Sequence, residues 1–168
     1  MILSTTDFAT GYVKISQNQN TIQDLQTYIT TAKENSYIKD ILGVELGEAF
    51  IADLSGDPSA PITAKFQLIF DFFTFSDHGL NEKCIGLKEI LKYLVYNDYT
   101  SQQKTLNQAG GNSRVQTEAS IDEGLVDKTT FIYNRAAMQI CSLQYFVSQD
   151  PVLYPGYYGQ LFLPNSPI

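Results

Sequence analysis

A helical hydrophobic pattern near the middle of the chain constrains the fold more than any other feature of the sequence. The stretch CIGLKEILKYLVYNDYTSQQ follows Asn81, where we expect the helix to begin. Five apolar residues fall within one arc of its helical wheel, namely Leu87, Ile90, Leu91, Leu94 and Val95. Such a stripe must pack against other apolar faces, so the flanking sequence has to supply them.

Three further stretches have helical spacing. The first, NTIQDLQTYITTAKEN, is predicted to begin at the cap residue Asn20. The second, SYIKDILGVELGEAFIADLSG, has Ser36 as its cap, and its interior Gly43 and Gly47 predict either one kinked helix or two short ones. The third, KTTFIYNRAAMQICSLQYFV, is apolar on most sides, which is typical of a helix buried between others.

The remaining segments are predicted to be less regular. The aromatic segment 65–75 favours an extended or mixed element, and Asp77-His78-Gly79 is typical of a turn. We therefore expect a mainly α fold: a small bundle of about four helices, a long central loop or β-hairpin-like excursion, and extended arms at both ends. The expected arms are 1–18 and 148–168, the first three helices 19–103, the loop 104–127 and the last helix 128–147.

Length and composition favour one domain with a surface poor in charge. The 168 residues fit a single domain, and charged residues make up only 17% of them against 43% hydrophobic. Uncharged polar residues fill the difference. Such a surface repels itself weakly, which suits a protein packed against copies of itself or against other proteins; an ordinary low-charge soluble domain is the alternative.

Charge and the start of the chain exclude two classes of partner. The net charge is −7 and the 11 basic residues are scattered, which argues against tight nucleic-acid binding. The opening MILSTTDFATGYVK lacks a basic region followed by a continuous apolar run, and no later run approaches the ~18 apolar residues of a membrane span. We expect a protein made in the cytosol with no membrane partner.

The segment 104–127 is the main irregularity of the chain. It contains NQAGGNSRVQTEAS and exceeds the ~12–15 residues of most loops in compact domains. Residues 114–118 alternate like a short strand, and a lone strand must find a sheet edge or be solvated. We expect it to reach a neighbouring subunit, with a disordered surface loop as the alternative. The expected interface residues are Asn107, Gly110, Gly111, Asn112, Arg114, Val115 and Thr117.

The C-terminal stretch SQDPVLYPGYYGQLFLPNSPI predicts an extended arm. It holds four of the six prolines and shows neither a strand nor a helix period. Its aromatic and apolar residues are too hydrophobic for a solvated terminus, so we expect them to dock on another subunit or partner. These residues are Tyr154, Tyr157, Tyr158, Leu161 and Phe162.

Asp98 interrupts the apolar arc of the central helix. A carboxylate placed there needs a partner, and Arg135 on the last helix is the candidate for a structural ion pair. Two alternatives stay open: Asp98 reaches solvent near the helix end, or it lies unpaired at a subunit interface.

The sequence offers little catalytic or metal-binding chemistry. His78 is the single histidine, and neither Cys84 nor a carboxylate is spaced from it as a recognisable ligand set. Cys84 and Cys141 stand in separate apolar contexts, which predicts reduced, buried thiols. Nucleotide-binding glycine motifs are absent. We therefore expect no catalytic site, no metal and no cofactor.

Parts of the chain resemble a known family. YIKDILG and AFIADL are followed by KFQLIFDFFTFSDHGLNEKCIGLKEILKYLVYNDYTSQQ and then by the polar NQAGGNSRVQTEAS and a closing long helix. This succession is similar to the head-tail connector, or adaptor, proteins of tailed bacteriophages, closest to those of phages infecting Bacteroidetes, including the crAss-like group. The resemblance is strongest over 66–120 and weak over 1–18 and the last twenty residues.

The resemblance implies a structural virion protein and not an enzyme. Such proteins form a ring, commonly a dodecamer, in the neck of the particle. The portal protein lies above the ring and another neck or tail protein below. Double-stranded DNA passes through it without sequence-specific binding. In such rings the loop between the long helices and the terminal arms contact neighbouring subunits.

Two other functions stay open at this stage. Within the same class, the chain could be a head-completion stopper or a tail-completion protein of the neck. In a different class, it could be a soluble carbohydrate-binding module or enzyme with an aromatic cleft, since it has 11 Tyr and 10 Phe. That reading predicts a monomer with a deep pocket, whereas a connector predicts flat, wide interfaces.

Overall fold

The structure is mainly helical, as the sequence predicts. The computed structural model describes residues 1–77, 79–109 and 119–158, and of 104–109 and 119–127 it describes the helical backbone alone. Within these ranges the α-helices are α1 Gln19–Tyr28, α2 Thr31–Leu42, α3 Val44–Ala52, α4 Ala64–Phe70, α5 Leu87–Ala109 and α6 Ala119–Gln149. The strands are β1 Leu54–Ser55, β2 Ala60–Pro61, β3 Phe73–Asp77 and β4 Leu80–Cys84.

The two long helices α5 and α6 pack against each other and form the centre of the molecule. The predicted arc of α5 is confirmed, since Leu87, Ile90 and Leu91 are fully buried. The facing side of α6 buries Ile132, Ala136, Ile140, Leu143 and Val147. The helix begins at Leu87 and not after Asn81, because residues from Leu80 to Cys84 pair as a strand.

Both long helices extend into the predicted central loop. α5 continues to Ala109 and α6 begins at Ala119, so much of 104–127 is helical and not a loop. The helical pattern was hidden there because these turns are rich in polar residues, and periodicity is visible only where one face is apolar.

The first predicted helix is in fact two. α1 is capped by Asn18, whose side chain accepts the Thr21 N–H at 2.8 Å. Thr30 then adopts an extended conformation and caps α2, accepting the Lys33 N–H at 3.2 Å. Ser36 therefore lies inside α2 and is not a cap. Of the two alternatives for the following stretch, two short helices are confirmed, since Gly43 with φ +79° separates α2 from α3.

The aromatic segment divides into a helix and a strand. α4 buries Phe66, Ile69 and Phe70, and β3 follows it after a short break. β3 pairs antiparallel with β4, from Phe73 opposite Cys84 to Asp77 opposite Leu80. The hairpin lies on α6, where the rings of Phe73 and Phe146 are 4.7 Å apart. A mixed element was therefore the correct expectation.

The N-terminal segment is packed on its own chain and is not a free arm. A 3₁₀ turn spans Thr5–Phe8, and Ile2, Leu3 and Phe8 are buried in the same core as α5 and α6. The backbone N–H groups of Ile2 and Leu3 donate to the carboxylate of Glu34 at 2.9 and 2.7 Å. Burial of its apolar side chains holds this irregular segment on the body, and Glu34 accepts the backbone N–H groups that burial removes from water.

Gly86 sets the path from the hairpin into α5. Its φ of +84° belongs to the left-handed region, and a Cβ at this position would overlap the carbonyl of Asp71. Only glycine allows α5 to begin so close to the end of α4.

Candidate interaction surfaces

The predicted loop interface falls mostly outside the described part of the chain. Asn107 lies in the last turn of α5. The other six residues of that prediction lie outside the described residues; they are Gly110, Gly111, Asn112, Arg114, Val115 and Thr117.

For the C-terminal arm, the expectation that its tyrosines dock on another subunit is partly wrong. Tyr154 is fully buried within its own chain, where its hydroxyl donates to the carbonyl of Lys65 at 2.9 Å. Its ring packs edge-on against Phe146 at 6.2 Å. Burial raises the pKa of Tyr154 to about 12, and the nearby Asp150 charge adds to this effect. Tyr154 is therefore not available to another subunit.

The next two tyrosines line a cleft between the arm and the α2–α3 junction. Tyr157 is half-buried, and Tyr158 is 78% exposed with its hydroxyl 3.2 Å from a carboxylate oxygen of Glu45. The cleft has a volume of about 320 Å³ and also includes Asp40 and Val44. Partial desolvation raises the pKa of the Asp40 carboxyl. Leu161 and Phe162 lie outside the described residues.

Asp98 and Arg135 do not form the expected ion pair. Asp98 accepts a hydrogen bond from the hydroxyl of Tyr37 on α2. The ion pairs found among the described residues join Lys39 with Glu48, Lys88 with Asp7 and Lys92 with Glu89, and none includes Asp98. The partner of Asp98 is thus Tyr37 on α2, which residue spacing along α5 and α6 could not identify.

Two more tyrosines and a lysine surround the same carboxylate. Burial raises the pKa of Tyr28, Tyr37 and Tyr133, and the negative charge of Asp98 raises each one further. The ammonium of Lys33 lies 3.1 Å from the centre of the Tyr28 ring. Desolvation lowers the pKa of Lys33, although Asp98 opposes this shift. The cluster links α1, α2, α5 and α6, so its contacts stabilise the packing of these four helices.

Arg135 lies against aromatic rings instead. Its guanidinium carbon is 5.2 Å from the centre of the Tyr12 ring and 5.8 Å from that of Tyr93. Tyr93 is buried, whereas Tyr12 is 64% exposed. Cation–π contacts of this kind occupy the ring faces and leave the N–H donors of the guanidinium edge available.

Large apolar side chains are exposed on several elements of the body. Phe131 and Met138 are 54% and 69% exposed on α6, seven residues apart and so on one face. On or beside α3, α4 and β4, those at least 60% exposed are Val44, Ile62, Phe72 and Leu80. The exposed face of α6 is not evident from the sequence because that helix is apolar on most sides, although the spacing of 131 and 138 outside the buried arc was a usable signal.

The described residues contain no group of three or more His, Cys, Asp or Glu placed to hold a metal ion. Within them, no helix is both long and apolar enough to span a bilayer. Cys84 is buried as predicted, its Sγ is 3.8 Å from the Gln139 carbonyl, and burial raises the pKa of the thiol. Cys141 is only half-buried, and His78 lies outside the described residues.

Comparison with known proteins adds no relative to this description. A scan against protein-family models and searches of curated proteins and of solved structures each found no match.

Proposed function

We propose that the chain is a structural subunit of the neck of a tailed bacteriophage, a head-tail connector that assembles as a ring beneath the portal. The sequence resemblance over 66–120 supports this proposal, as does the mainly helical body with its long helix pair. The location would be the virion, after synthesis in the cytoplasm of the bacterial host.

The observation that carries the proposal is the spread of exposed apolar side chains. They occur on α3, α4, the β3–β4 hairpin and α6, so they do not surround a single cleft. A ring subunit in a layered neck meets a neighbour on each side and other proteins above and below. Several separate apolar surfaces with little charge between them suit such a position, because each can be covered by a different neighbour.

The long helix pair offers a route to a more distant neighbour. α5 continues ten residues beyond the buried Tyr99, and α6 begins ten residues before the buried Thr129. Ten helical residues span ~15 Å. The segment joining these two ends would contact the adjacent subunit.

Locating the chain in the particle tests the proposal. An electron-microscopy map of the virion is expected to show copies of this chain arranged around the tail axis under the portal. A chain found outside the neck, or missing from purified particles, would contradict it. The map also separates a connector from a stopper or a tail-completion protein, because these occupy different layers.

A cheaper experiment addresses the alternative of a sugar-binding module or enzyme. The tyrosine-lined cleft beside Asp40 and Glu45 is the feature that favours it. Titration of the purified protein with an oligosaccharide panel, followed by tyrosine fluorescence, is expected to give no saturable change. Saturable binding that Tyr158→Ala abolishes would favour the alternative.

A further inference from the structure

α6 carries a second stripe that is separate from its buried face. Lys128, Phe131, Arg135 and Met138 follow one another at spacings of three, four and three residues, which places them in one arc of the helix. Lys128, Phe131 and Met138 are exposed, and Arg135 is partly exposed. This α6 stripe combines two large apolar side chains with two cations.

The two cations of the α6 stripe lack carboxylate partners among the described ion pairs. Lys88 and Lys92 on α5 are neutralised by Asp7 and Glu89 at 3.3 and 3.2 Å. Lys128 instead lies over the ring of Tyr96, and Arg135 over Tyr12 and Tyr93. These rings position the cations and leave their hydrogen-bond donors available for an acidic partner.

The outer side of α3 has the complementary character. Val44, Glu45, Glu48 and Ala49 are exposed, while Leu46 and Phe50 point into the core. Lys39 pairs with Glu48 at 3.0 Å, but the Glu48 side chain stays 61% exposed. This α3 face thus combines two carboxylates with small apolar side chains, on an element distinct from α6.

We propose that the α6 stripe of one subunit docks on the α3 face of a second copy of the chain. Arg135 and Lys128 would pair with Glu45 and Glu48 of that copy, while Phe131 and Met138 would cover its Val44 and Ala49. Because the two faces are different surfaces, the contact is head-to-tail, and it closes into a ring when its rotation divides the circle. The inference rests on the proposed function and names the lateral contact of that ring.

A nucleic-acid partner fits the α6 stripe less well. Two unneutralised cations can displace counterions from only about two phosphates, which is weak binding at physiological salt. Tyrosine and arginine beside exposed apolar groups are instead enriched at protein interfaces.

Reciprocal charge reversal tests the contact. Self-association of the full chain is measured by sedimentation velocity up to millimolar concentration at low salt. Arg135→Glu alone and Glu45→Arg alone are each expected to raise the dissociation constant tenfold or more. A one-to-one mixture of the two variants is expected to recover association, because in an alternating assembly every contact joins opposite charges again.

Matched controls separate the contact from general charge effects and from misfolding. Lys83→Glu and Glu82→Arg reverse exposed charges on β4 and should leave the dissociation constant unchanged. Met138→Asp alters the α6 stripe without touching Tyr12 or Tyr93, and it should weaken association as Arg135→Glu does. Circular dichroism and thermal midpoints check that each variant folds.

Several outcomes would overturn the inference. It fails if the unmodified chain stays monomeric throughout, if Met138→Asp associates normally, or if mixing gives no recovery. Binding of a 25-base-pair duplex, lost in Arg135→Glu, would assign the α6 stripe to nucleic acid instead. If the chain is found in particles but Arg135→Glu does not weaken association, the proposed function stands and this contact is rejected. If Arg135→Glu weakens association but the chain is missing from particles, the contact stands and the proposed function is rejected.

Discussion

Glu34 is almost completely enclosed, with 2% of its surface exposed, yet it has no basic partner among the ion pairs of the described residues. Its two oxygens accept the backbone N–H groups of Ile2 and Leu3. Its place in the first turn of α2 also puts the negative charge near the positive end of the helix dipole. One side chain thus holds two backbone groups of the N-terminal segment on the body.

Glu34→Gln is expected to lower the free energy of unfolding by ~2–3 kcal/mol. The amide replaces one acceptor by an NH₂ group that would face a backbone N–H, so one buried donor loses its partner. Urea denaturation at pH 7 measures the change. Glu48→Gln, at an exposed pair on α3, is the control and should alter stability by less than ~0.5 kcal/mol. Equal effects of the two substitutions would contradict this role of Glu34.

Tyr154 is expected to make the protein sensitive to alkali. In the unfolded chain its phenol ionises near the usual pKa of 10, whereas in the folded state the pKa is about 12. The folded state therefore holds the proton more tightly, so its contribution is complete below pH 10 and falls as the pH rises towards 12. Two pKa units correspond to ~2–3 kcal/mol.

Tyr154→Phe tests this linkage by urea unfolding between pH 7 and 12. The variant is expected to lose ~1 kcal/mol at pH 7 with the hydrogen bond to Lys65. Its stability should then decline less steeply between pH 10 and 12 than that of the unmodified chain. Tyr158→Phe removes an exposed hydroxyl as the control. An unchanged alkaline slope in Tyr154→Phe would rule out this account.

At the scale of elements, sequence patterns were informative where one side of a helix is apolar. The arc of α5 is visible because its buried residues are aliphatic and its outer residues charged. The boundary between α1 and α2 could not be predicted from the sequence. Thr30 caps α2 with its side chain, but a capping Thr cannot be distinguished in sequence from a Thr inside a helix. The partner of Asp98 and the stacking of Arg135 depend on how helices distant in sequence cross, which one-dimensional spacing does not contain.

Shortening the connection between α5 and α6 is expected to separate folding from assembly. Replacing 110–117 with four Gly-Ser residues should leave the helical circular dichroism nearly unchanged, because the buried faces of both helices lie elsewhere. Incorporation into particles should be abolished if the segment crosses to a neighbour. An eight-residue Gly-Ser replacement tests whether length or sequence is needed. Normal incorporation of both variants would show that the segment does not contact a neighbour.

At the scale of the whole molecule, the charge balance favours contact with protein over contact with DNA. The chain has 18 acidic and 11 basic residues, and three of the basic ones are paired within the described structure. A ring of such subunits would multiply the negative charge, which repels a passing phosphate backbone. A neck protein with this balance would guide DNA without holding it.

The purified protein is therefore expected to bind duplex DNA only weakly. With a fluorescein-labelled duplex of 25 base pairs at 150 mM salt, the dissociation constant should exceed ~100 μM, beyond the usual range for non-specific binders. Fluorescence anisotropy measures it, with bovine albumin as an acidic comparison. Micromolar affinity that falls steeply with added salt would show that a basic surface dominates despite the net charge.

The tight passage at Gly86 also bears on ancestry. Any side chain there would collide with the carbonyl of Asp71, so a descendant that keeps the hairpin-to-helix junction must keep this glycine. Together with the enclosed Glu34, it forms a pair of buried positions that substitutions on the surface leave intact. A homologue that keeps both the hairpin-to-helix junction and the docked N-terminal segment should keep both residues.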